Sequence, residues 1–374
     1  MEIAPFKLER FFAKHEFSSK YLLCSSDCES MSQAELLDLE PESRAKLEKL
    51  WLGYTESKGN PELRKEIAKL YSNITPEETL VFSGAEEAIF LFMNAILKKG
   101  DNVIIQTPCY QSLTELPKTI GCEITEWNCN EEENWKPSLE ILKAGIKENT
   151  KAIIINSPHN PTGYTFSEQE IREIISIAKD KDIYIFSDEV YKGLEYDPTT
   201  KTSSACDVYE KALSLGVMSK TFGLAGLRIG WLATKNKEIL EKIASLRDYT
   251  TICNSAPSEF LAIIALKNKE KIIKRNLDII QNNLKLLDEF FKDYSNWFEW
   301  IKPKAGTLAL VKLKNNKEAM KFCEDLIEKK GVLLMPTTMY DLDNQHFRIG
   351  FGRKNMPESL NELKSYLQEN PEIN

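Results

Sequence analysis

Apolar residues between positions 60 and 235 follow two alternating patterns along the chain. In one pattern, short runs are almost continuously apolar, as in strands that are buried on both faces of a sheet. In the other, apolar residues recur every three or four positions, which is typical of helices that pack on one side. Such alternation predicts a mostly parallel sheet with helices on both faces, which binds ligands beyond the carboxyl ends of its strands. The predicted strands are 79–82, 102–106, 152–156 and 183–186, and the predicted helices are 61–71, 85–97 and a segment that opens at Ser167.

The pattern changes after about residue 255, where a long helical region at 258–291 precedes short strand-like runs and further helices. This order is typical of an α+β unit. The first 50 residues show no alternation of strand and helix and are expected to pack on this second unit. We therefore predict an α/β protein with a large domain at 45–255, built on a mostly parallel, seven-stranded type of sheet, and a smaller α+β domain at 1–44 plus 256–374. In the smaller domain the strands are expected at 298–301, 307–313 and 347–351, and the helices at 317–330 and 357–368.

Composition excludes several classes of partner. The chain has 374 residues, and its 49 basic and 57 acidic residues give a net charge of −8, which argues against nucleic acid and anionic membranes. No apolar run approaches the roughly 18–20 residues that span a bilayer, and the first residues lack the layout of a signal peptide. The three histidines are isolated, and the pair Cys24 and Cys28, which could be half of a metal site, has no second half nearby, so no metal site is expected. The expected compartment is the cytoplasm.

The segment Ser219-Lys220-Thr-Phe-Gly-Leu-Ala-Gly-Leu-Arg228 carries the most informative chemistry. A lysine in a weakly charged stretch can have a lowered pKa and condense with an aldehyde as a Schiff base. An arginine nearby can bind a phosphate with two hydrogen bonds. An aldehyde that carries a phosphate is pyridoxal 5'-phosphate. The alternatives are a surface lysine in a loop and an arginine in a structural ion pair.

A second candidate phosphate site is the turn at Gly84 and Ala85, which joins a predicted strand to a predicted helix. Backbone N–H groups and the helix dipole make such a turn an anion site. Many turns between strands and helices contain glycine, however, so this signal is weak without Lys220 and Arg228.

Polar residues at other strand ends fit the ring of the same cofactor. Asp188 follows a buried strand, and a carboxylate there needs a partner such as a pyridinium N–H, which would make the ring an electron sink. Tyr191 and Asn160 would donate hydrogen bonds to the phenolate oxygen of the ring, and Tyr110 would stack on its face. The structural alternatives are a helix cap for Asp188, an ordinary turn for Asn160 and a core position for Tyr110.

Arg348 lies in the run His346-Phe-Arg-Ile-Gly350, between apolar residues of a predicted strand. An arginine that points into a protein needs a carboxylate, and an amino-acid substrate supplies one. The alternative is a salt bridge to a carboxylate of the protein itself.

Together these motifs resemble the class I/II aminotransferases, which are fold-type I pyridoxal phosphate enzymes similar to aspartate aminotransferase. The resemblance implies a homodimer with shared active sites, in which Tyr54 reaches the phosphate of the neighbouring subunit. It also implies that Lys220 is both the Schiff-base lysine and the proton carrier, and that Arg348 binds the α-carboxylate of an amino-acid substrate. The matching pieces occur in the family's order and are Gly53-Tyr-Thr-Glu-Ser-Lys-Gly59, Leu63-Arg64, Ser83-Gly84-Ala85, Pro108-Cys-Tyr110, His159-Asn-Pro-Thr-Gly163, Ser187-Asp-Glu-Val-Tyr191, the segment at 219–231 and Phe347-Arg348.

The sequence also departs from the family pattern. Val217 stands where many members have a phosphate-binding serine, so phosphate binding would depend on Gly84, Ala85, Ser219 and Arg228. The usual glycine-containing N-terminal segment is replaced by Leu23-Cys-Ser-Ser-Asp-Cys28.

The N-terminal segment resembles the branch that contains capreomycidine synthase, whose members eliminate water from a hydroxylated arginine and cyclise it. On this resemblance Glu9, Ser25 and Asp27 are candidate substrate-binding residues, and Glu9 and Asp27 could hold a guanidinium, because carboxylates pair with one. Their structural alternative is a solvated N-terminal charge and ordinary turn residues.

The favoured function is therefore a pyridoxal phosphate-dependent aminotransferase that acts at the α-carbon of an amino acid. The alternative is a cyclase or lyase of the capreomycidine synthase type, since both reactions begin with removal of the α-proton. A minor alternative is a non-catalytic sensor that binds the cofactor. Such proteins carry a basic DNA-binding extension, whereas the roughly 50 residues before the motifs have no surplus of basic residues. The motifs do not identify the side chain of the substrate.

Overall fold

The computed structural model describes residues 2–314 and 317–370. Within them the chain forms two main sheets with helices packed around both. The helices are α1 (Lys7–His15), α2 (Gln33–Leu37), α3 (Ser43–Glu48), α4 (Pro61–Ala68), α5 (Ala85–Ile96), α6 (Ser112–Ile120), α7 (Leu139–Gly145), α8 (Glu168–Asp180), α9 (Ala205–Val208), α10 (Lys237–Arg247), α11 (Ala256–Lys267), α12 (Lys269–Asp293), α13 (Ala319–Lys330) and α14 (Met356–Glu369). The strands are β1 (Tyr21–Leu22), β2 (Thr79–Phe82), β3 (Asn102–Thr107), β4 (Glu123–Asn130), β5 (Lys136–Pro137), β6 (Thr150–Asn156), β7 (Tyr184–Asp188), β8 (Ala212–Val217), β9 (Gly230–Ala233), β10 (Phe298–Trp300), β11 (Leu308–Leu313), β12 (Val332–Leu333), β13 (Met335–Pro336) and β14 (His346–Gly350).

The larger sheet has the strand order β2-β9-β8-β7-β6-β3-β4-β5. Strands β8, β7, β6, β3 and β4 are parallel, whereas β9 is antiparallel to both of its neighbours. The predicted mostly parallel sheet is confirmed. The two-residue strand β5, which pairs antiparallel with β4, adds an eighth strand to the seven expected.

Both faces of this sheet are buried, which explains why its strands are apolar throughout. Phe92 of α5 packs on one face together with Phe186 of β7, and Ile174 of α8 packs on the other together with Ile153 of β6. Helix α8 begins at a capping box formed by Ser167 and Glu170, as the sequence predicts. The helices therefore hold the parallel strands in place, and the carboxyl ends of these strands meet at one edge of the sheet.

The smaller sheet is antiparallel, in the order β10-β11-β14-β13, and confirms the predicted α+β unit. The helical region predicted at 258–291 is two helices, α11 and α12, which are interrupted at Asn268. The Asn268 side chain donates to the carbonyl of Ile264 at 3.1 Å and to the Glu40 carboxylate at 2.7 Å. These local bonds compete with a continuous helix, a competition that hydrophobic periodicity does not detect.

The first 50 residues pack on two different parts of the molecule. Leu8 of α1 and Cys24 contact Leu333 and Met335 beside the smaller sheet, as expected. Helix α2 instead packs beside Leu63 of α4 and against α11. The proposed boundaries at residues 45 and 255 stay a prediction, and residues 1, 315–316 and 371–374 of the predicted smaller domain lie outside the described part of the chain.

No helix among the described residues is long and apolar enough to cross a membrane.

Candidate active site

A cavity of about 520 Å³ opens at the carboxyl ends of β6, β7 and β8. Its walls are completed by the start of α5, by α1 and by the segment that follows β1. The cavity brings together residues that lie far apart in the sequence. Those predicted for the site that line it are Glu9, Ser25, Asp27, Ala85, Tyr110, Asn160, Asp188, Tyr191, Ser219, Lys220, Arg228 and Arg348.

Lys220 follows β8, and its side chain reaches into the cavity. Its Nζ donates a hydrogen bond to Ser26 Oγ at 2.8 Å. Desolvation lowers the pKa of Lys220 because it disfavours the charged form, and Arg348 acts in the same direction, whereas Asp27, Glu9 and Asp188 oppose the shift. The site therefore favours a neutral amine, which is the nucleophilic form of a lysine.

Asp188 is the last residue of β7 and is only 6% exposed. Desolvation raises the pKa of Asp188 to about 7, although the Val190 N–H donates to its carboxylate at 3.2 Å and Lys220 is nearby. Among the described residues no cation forms an ion pair with this carboxylate. A buried carboxylate without a cationic partner is suited to bind a cationic group of a ligand.

Tyr191 and Asn160 lie at the same end of the sheet. The buried Tyr191 hydroxyl faces Ser26 but makes no well-formed hydrogen bond within the described chain. The amide oxygen of Asn160 accepts from the Tyr340 hydroxyl at 3.0 Å and from Arg348 at 3.4 Å. Tyr110 also lines the cavity, where its hydroxyl donates to Glu9 at 2.8 Å.

Two glycines allow the backbone and Arg228 to come close at the start of α5. Gly84 has a φ of +95°, and a Cβ there would lie 2.7 Å from a guanidinium nitrogen of Arg228. A Cβ on Gly230 would lie 2.7 Å from the Gly84 backbone. The Gly84 N–H already donates to the Phe82 carbonyl at 2.8 Å, so an anion would bind the N–H groups of the first turn of α5, beginning with Ala85.

Arg348 lies in β14 and is only 1% exposed. Its Nη2 donates to the Cys24 carbonyl at 2.7 Å, and its Nη1 donates to the Tyr340 hydroxyl. Its Nε has no partner among the described residues, and no protein carboxylate pairs with the guanidinium there. The arginine is therefore arranged to accept a carboxylate from a ligand.

The N-terminal candidates lie in the cavity, but their partners differ. Glu9 projects from α1 and accepts from Tyr110, whereas Ser25 is 8% exposed with its backbone against Gly350. Asp27 forms a two-pronged ion pair with Arg353, with N–O distances of 3.1 and 2.9 Å. Because its carboxylate already holds a guanidinium of the protein, Asp27 is not free to bind one from a substrate in this structure.

Gly84 and Tyr54 are the predicted site residues that do not line the cavity; Gly84 lies beside Arg228 at its edge, whereas Tyr54 lies elsewhere. Tyr54 is 86% exposed, in the same stretch as Trp51 and Leu52, whose side chains are also largely exposed. Tyr249 of a different segment is similarly exposed. Within one chain, Tyr54 does not line this pocket.

Sequence reasoning missed several residues that complete the cavity. Ser26 contacts Lys220, Arg353 binds Asp27, and Tyr340 binds both Asn160 and Arg348. Glu16 and Glu86 also line the cavity. The one available signal was position: Ser26 lies beside two predicted residues, and Arg353 closely follows Arg348.

The residues present fit pyridoxal phosphate. The orphaned Tyr191 hydroxyl, the buried Asp188 carboxylate and the opening between Gly84 and Arg228 match its ring oxygen, ring nitrogen and phosphate in kind. Lys220 lies in the same cavity and supplies the amine that an aldehyde requires. The fit to the cofactor is supported because the described chain supplies no hydrogen-bond partner for the Tyr191 hydroxyl and no cation for the Asp188 carboxylate.

Comparisons with known proteins agree with this geometry. A family model described as aminotransferase class I and II matches residues 18–363. Capreomycidine synthase from Streptomyces vinaceus is 25% identical over 346 residues, which cover 92% of this chain and 88% of that protein. The crystal structure of a PLP-dependent aminotransferase from Streptococcus suis has a TM-score of 0.93 at 32% identity and covers 99% of both chains. The structure of the PLP-dependent cyclase OrfR has a TM-score of 0.91 at 28% identity, covering 99% of this chain and 98% of that chain.

The fold and the cavity define a fold-type I enzyme that depends on pyridoxal phosphate. The chain belongs to the aminotransferase class I and II family. The resemblance seen in the sequence and the expected cofactor are thereby confirmed. Because aminotransferases and cyclases both occur among the similar proteins, the activity is that of a PLP-dependent aminotransferase or cyclase.

Proposed function

We propose that this enzyme is an aminotransferase that acts at the α-carbon of an amino acid, with Lys220 as its Schiff-base lysine and proton carrier. The observation that supports this most directly is the position of Lys220 in one cavity with Asp188 and Arg348. A reactive amine, an anchor for a cationic ring and an anchor for a carboxylate are the groups that such a reaction requires.

The cofactor would be held at each end by a different set of residues. Arg228, Ser219 and the backbone at Gly84 and Ala85 would hold the phosphate. Asp188 would pair with the ring nitrogen, Tyr191 and Asn160 would bind the ring oxygen, and Tyr110 would cover the ring face. When bound, pyridoxal phosphate supplies an electron sink that stabilises negative charge at the substrate α-carbon.

Lys220 would serve as the general base and acid at that carbon. Desolvation lowers the pKa of Lys220, which increases the share of the released side chain that is a neutral amine and can accept the α-proton at Nζ. A base is most effective when its pKa lies near the working pH. In transamination the same amine would return the proton to the cofactor.

Arg348 would orient the substrate by binding its α-carboxylate. Contacts with Cys24 and Tyr340 fix the guanidinium within the cavity, and burial excludes water that would compete for it. A substrate fixed at this point is held with its α-carbon near Lys220.

Cyclisation of a substrate with a cationic side chain is a second candidate function. Glu9, Glu16 and Glu86 line the cavity, and among the described residues none of the three forms an ion pair. Desolvation raises the pKa of Glu16 and Glu86, the latter to about 7, and a cationic ligand group would reverse this effect. The similarity to capreomycidine synthase favours this candidate further.

We also propose that the enzyme acts as a homodimer, with Tyr54 completing the site of the neighbouring subunit. The proposal is supported by the exposure of Trp51, Leu52 and Tyr54, since large apolar side chains exposed together mark interaction surfaces. Sedimentation of the holoenzyme would test it, and a monomer at micromolar concentration would contradict it.

The test of the reaction is incubation of the holoenzyme with single amino acids, including glutamate, aromatic residues, arginine and hydroxyarginine. The cofactor spectrum is followed, and the product is identified by mass spectrometry. An oxo acid would establish transamination and name the amino donor. Loss of water with retention of the amino group would refute transamination and establish the cyclase, whereas no spectral change with any amino acid would contradict both.

A further inference from the structure

Ser26 is the hydrogen-bond partner of Lys220, and its position is fixed from both sides. Its carbonyl accepts from Thr307 Oγ1 at 2.7 Å, and the neighbouring Cys28 N–H donates to the Lys220 carbonyl at 3.4 Å. The Glu29 N–H donates to the Gly352 carbonyl at 2.8 Å. The segment is therefore tied both to the backbone of the loop that carries Lys220 and to the end of the smaller sheet, and Ser26 does not depend on the Lys220 side chain for its placement.

A serine hydroxyl suits a lysine that gains and loses a proton. The hydroxyl can accept from the ammonium or amine N–H and can also donate to the lone pair of a neutral amine. A carboxylate can only accept, and it stabilises the charged lysine, which is neither nucleophile nor base. The contact at 2.8 Å is thus compatible with both protonation states of Lys220.

Asp27 is the carboxylate that would compete for Lys220, because it follows Ser26 directly and exerts the largest of the charge effects that raise the pKa of Lys220. Glu9, Asp188 and Arg348 also act on the lysine, and Glu16 at the end of α1 faces the same cavity and interacts with Lys220. In the structure both Asp27 oxygens accept from Arg353. The Asp27 side chain is only 14% exposed, so water weakens this pair little.

We propose that Arg353 is a positioning residue that occupies Asp27, so that the released Lys220 is held by the neutral Ser26 hydroxyl. Arg353 thereby prevents Asp27 from trapping the lysine as an ammonium ion. This inference rests on the proposed role of Lys220 and extends it to residues outside the predicted site.

The test uses capture of pyridoxal phosphate by the cofactor-free protein, measured as a rate against pH. Only the neutral amine attacks the aldehyde, so the midpoint of the profile reports the ionisation of Lys220. In Arg353→Gln a free carboxylate remains beside the lysine, and the midpoint should rise by about one pH unit or more, the usual effect of one close opposite charge. An unchanged midpoint would overturn the proposal.

Two further variants separate the charge effect from loosening of the segment. The double variant Asp27→Asn/Arg353→Gln lacks both charges, and its midpoint should return to the wild-type value or fall below it. Arg275→Gln is the matched control, because Arg275 holds the same segment through the backbone carbonyls of Glu29 and Ser30, at 2.8 and 2.9 Å, whereas Arg353 holds it through the Asp27 carboxylate. A rise in Arg275→Gln equal to that in Arg353→Gln would contradict the role of Asp27.

Ser26 is tested by loss and recovery of its hydroxyl. Ser26→Ala should lower the capture rate above the midpoint by about three- to tenfold, the equivalent of one hydrogen bond, and Ser26→Thr should restore it. Equal rates in wild type and Ser26→Ala would refute this part of the proposal.

The same experiment distinguishes this inference from the proposed function. After capture, the linkage is reduced with borohydride, and the modified residue is identified by peptide mass spectrometry. If wild-type protein is modified at a residue other than Lys220, the proposed function fails. If Lys220 is modified but the variants behave as wild type, only the role of Ser26, Asp27 and Arg353 fails.

Discussion

Replacing His346 by glutamine is expected to destabilise the protein, and the loss should be largest at low pH. The imidazole is 3% exposed and lies between two carboxylates, with Nδ1 at 2.9 Å from Asp343 and Nε2 at 2.9 Å from Glu131. Glu131 follows β4 of the larger sheet, whereas His346 lies in β14 of the smaller one. The histidine therefore links the two sheets, two residues before Arg348.

The magnitude follows from burial. Breaking a fully buried ion pair costs about 3–5 kcal/mol, and an exposed pair contributes about 0–1 kcal/mol. Here the imidazole is buried, but the side chains of Glu131 and Asp343 are 26% and 42% exposed. We therefore expect a loss of about 2 kcal/mol, which corresponds to a fall in Tm of about 2–3 °C in a chain of this size.

The sign of the pH dependence is determined by the pKa of His346. Hydrogen bonds and charge from Asp343 and Glu131 outweigh desolvation and raise the pKa of His346 above the usual 6.5 of a histidine. A raised folded-state pKa contributes stability that is complete below the unfolded pKa and is lost as the pH rises through the folded pKa. The wild type should therefore exceed His346→Gln in Tm most at pH 5–6, and the difference should shrink above the folded pKa.

Differential scanning calorimetry of both proteins between about pH 5 and 9 measures this difference while the carboxylates remain charged. His15→Gln is the control, since desolvation and Lys14 lower the pKa of His15 and outweigh the opposing charge of Glu324. A Tm difference for His346→Gln that is constant or grows with pH would refute this reasoning.

Three further predictions concern the candidate site. In the wild type, binding of pyridoxal phosphate should weaken below about pH 7, where Asp188 becomes protonated. Asp188→Asn should bind the cofactor at least tenfold more weakly and should lack this pH dependence; unchanged binding by equilibrium dialysis would contradict the role of Asp188 at the ring nitrogen. Arg348→Lys should raise the KM for the amino acid about 100-fold with a smaller change in kcat, because a lysine cannot form the two-pronged contact; a selective loss of kcat would argue against carboxylate binding. Tyr54→Phe is mixed with an inactive Lys220→Ala variant, and the subunits are allowed to exchange. If Tyr54 acts in the neighbouring subunit, one site of each mixed dimer contains both Lys220 and Tyr54, and the mixture should be more active than either variant alone. Activity that depends only on the Tyr54 and Lys220 of one chain would exclude sharing.

The local pattern was sufficient to predict most elements of the fold. Strand β2 is found at the predicted residues, and the parallel sheet follows from buried apolar strands that alternate with amphipathic helices. The break at Asn268 was missed because it depends on side-chain hydrogen bonds, including one to the distant Glu40. The packing of α2 against α11 was also missed, because a short amphipathic segment does not specify which surface covers it.

Within the site, the sequence identified residues whose chemistry is unusual at a strand end, such as Lys220, Asp188 and Arg348. These residues are recognisable because a buried charge is costly unless it has a partner or a function, and the residue type indicates which partner or function fits.

Only the tertiary structure decided which uncharged side chains and ion pairs surround these reactive residues. The contact between Ser26 and Lys220 joins positions 194 residues apart, and the pair of Asp27 with Arg353 spans 326 residues. Neither serine nor a paired arginine carries a local signal of function, since each is common on protein surfaces. Their roles arise because the chain folds the N-terminal segment over the ends of two separate sheets. The sequence by itself thus determined the cofactor chemistry and the secondary structure, and the packing of distant segments determined the surroundings of the reactive lysine.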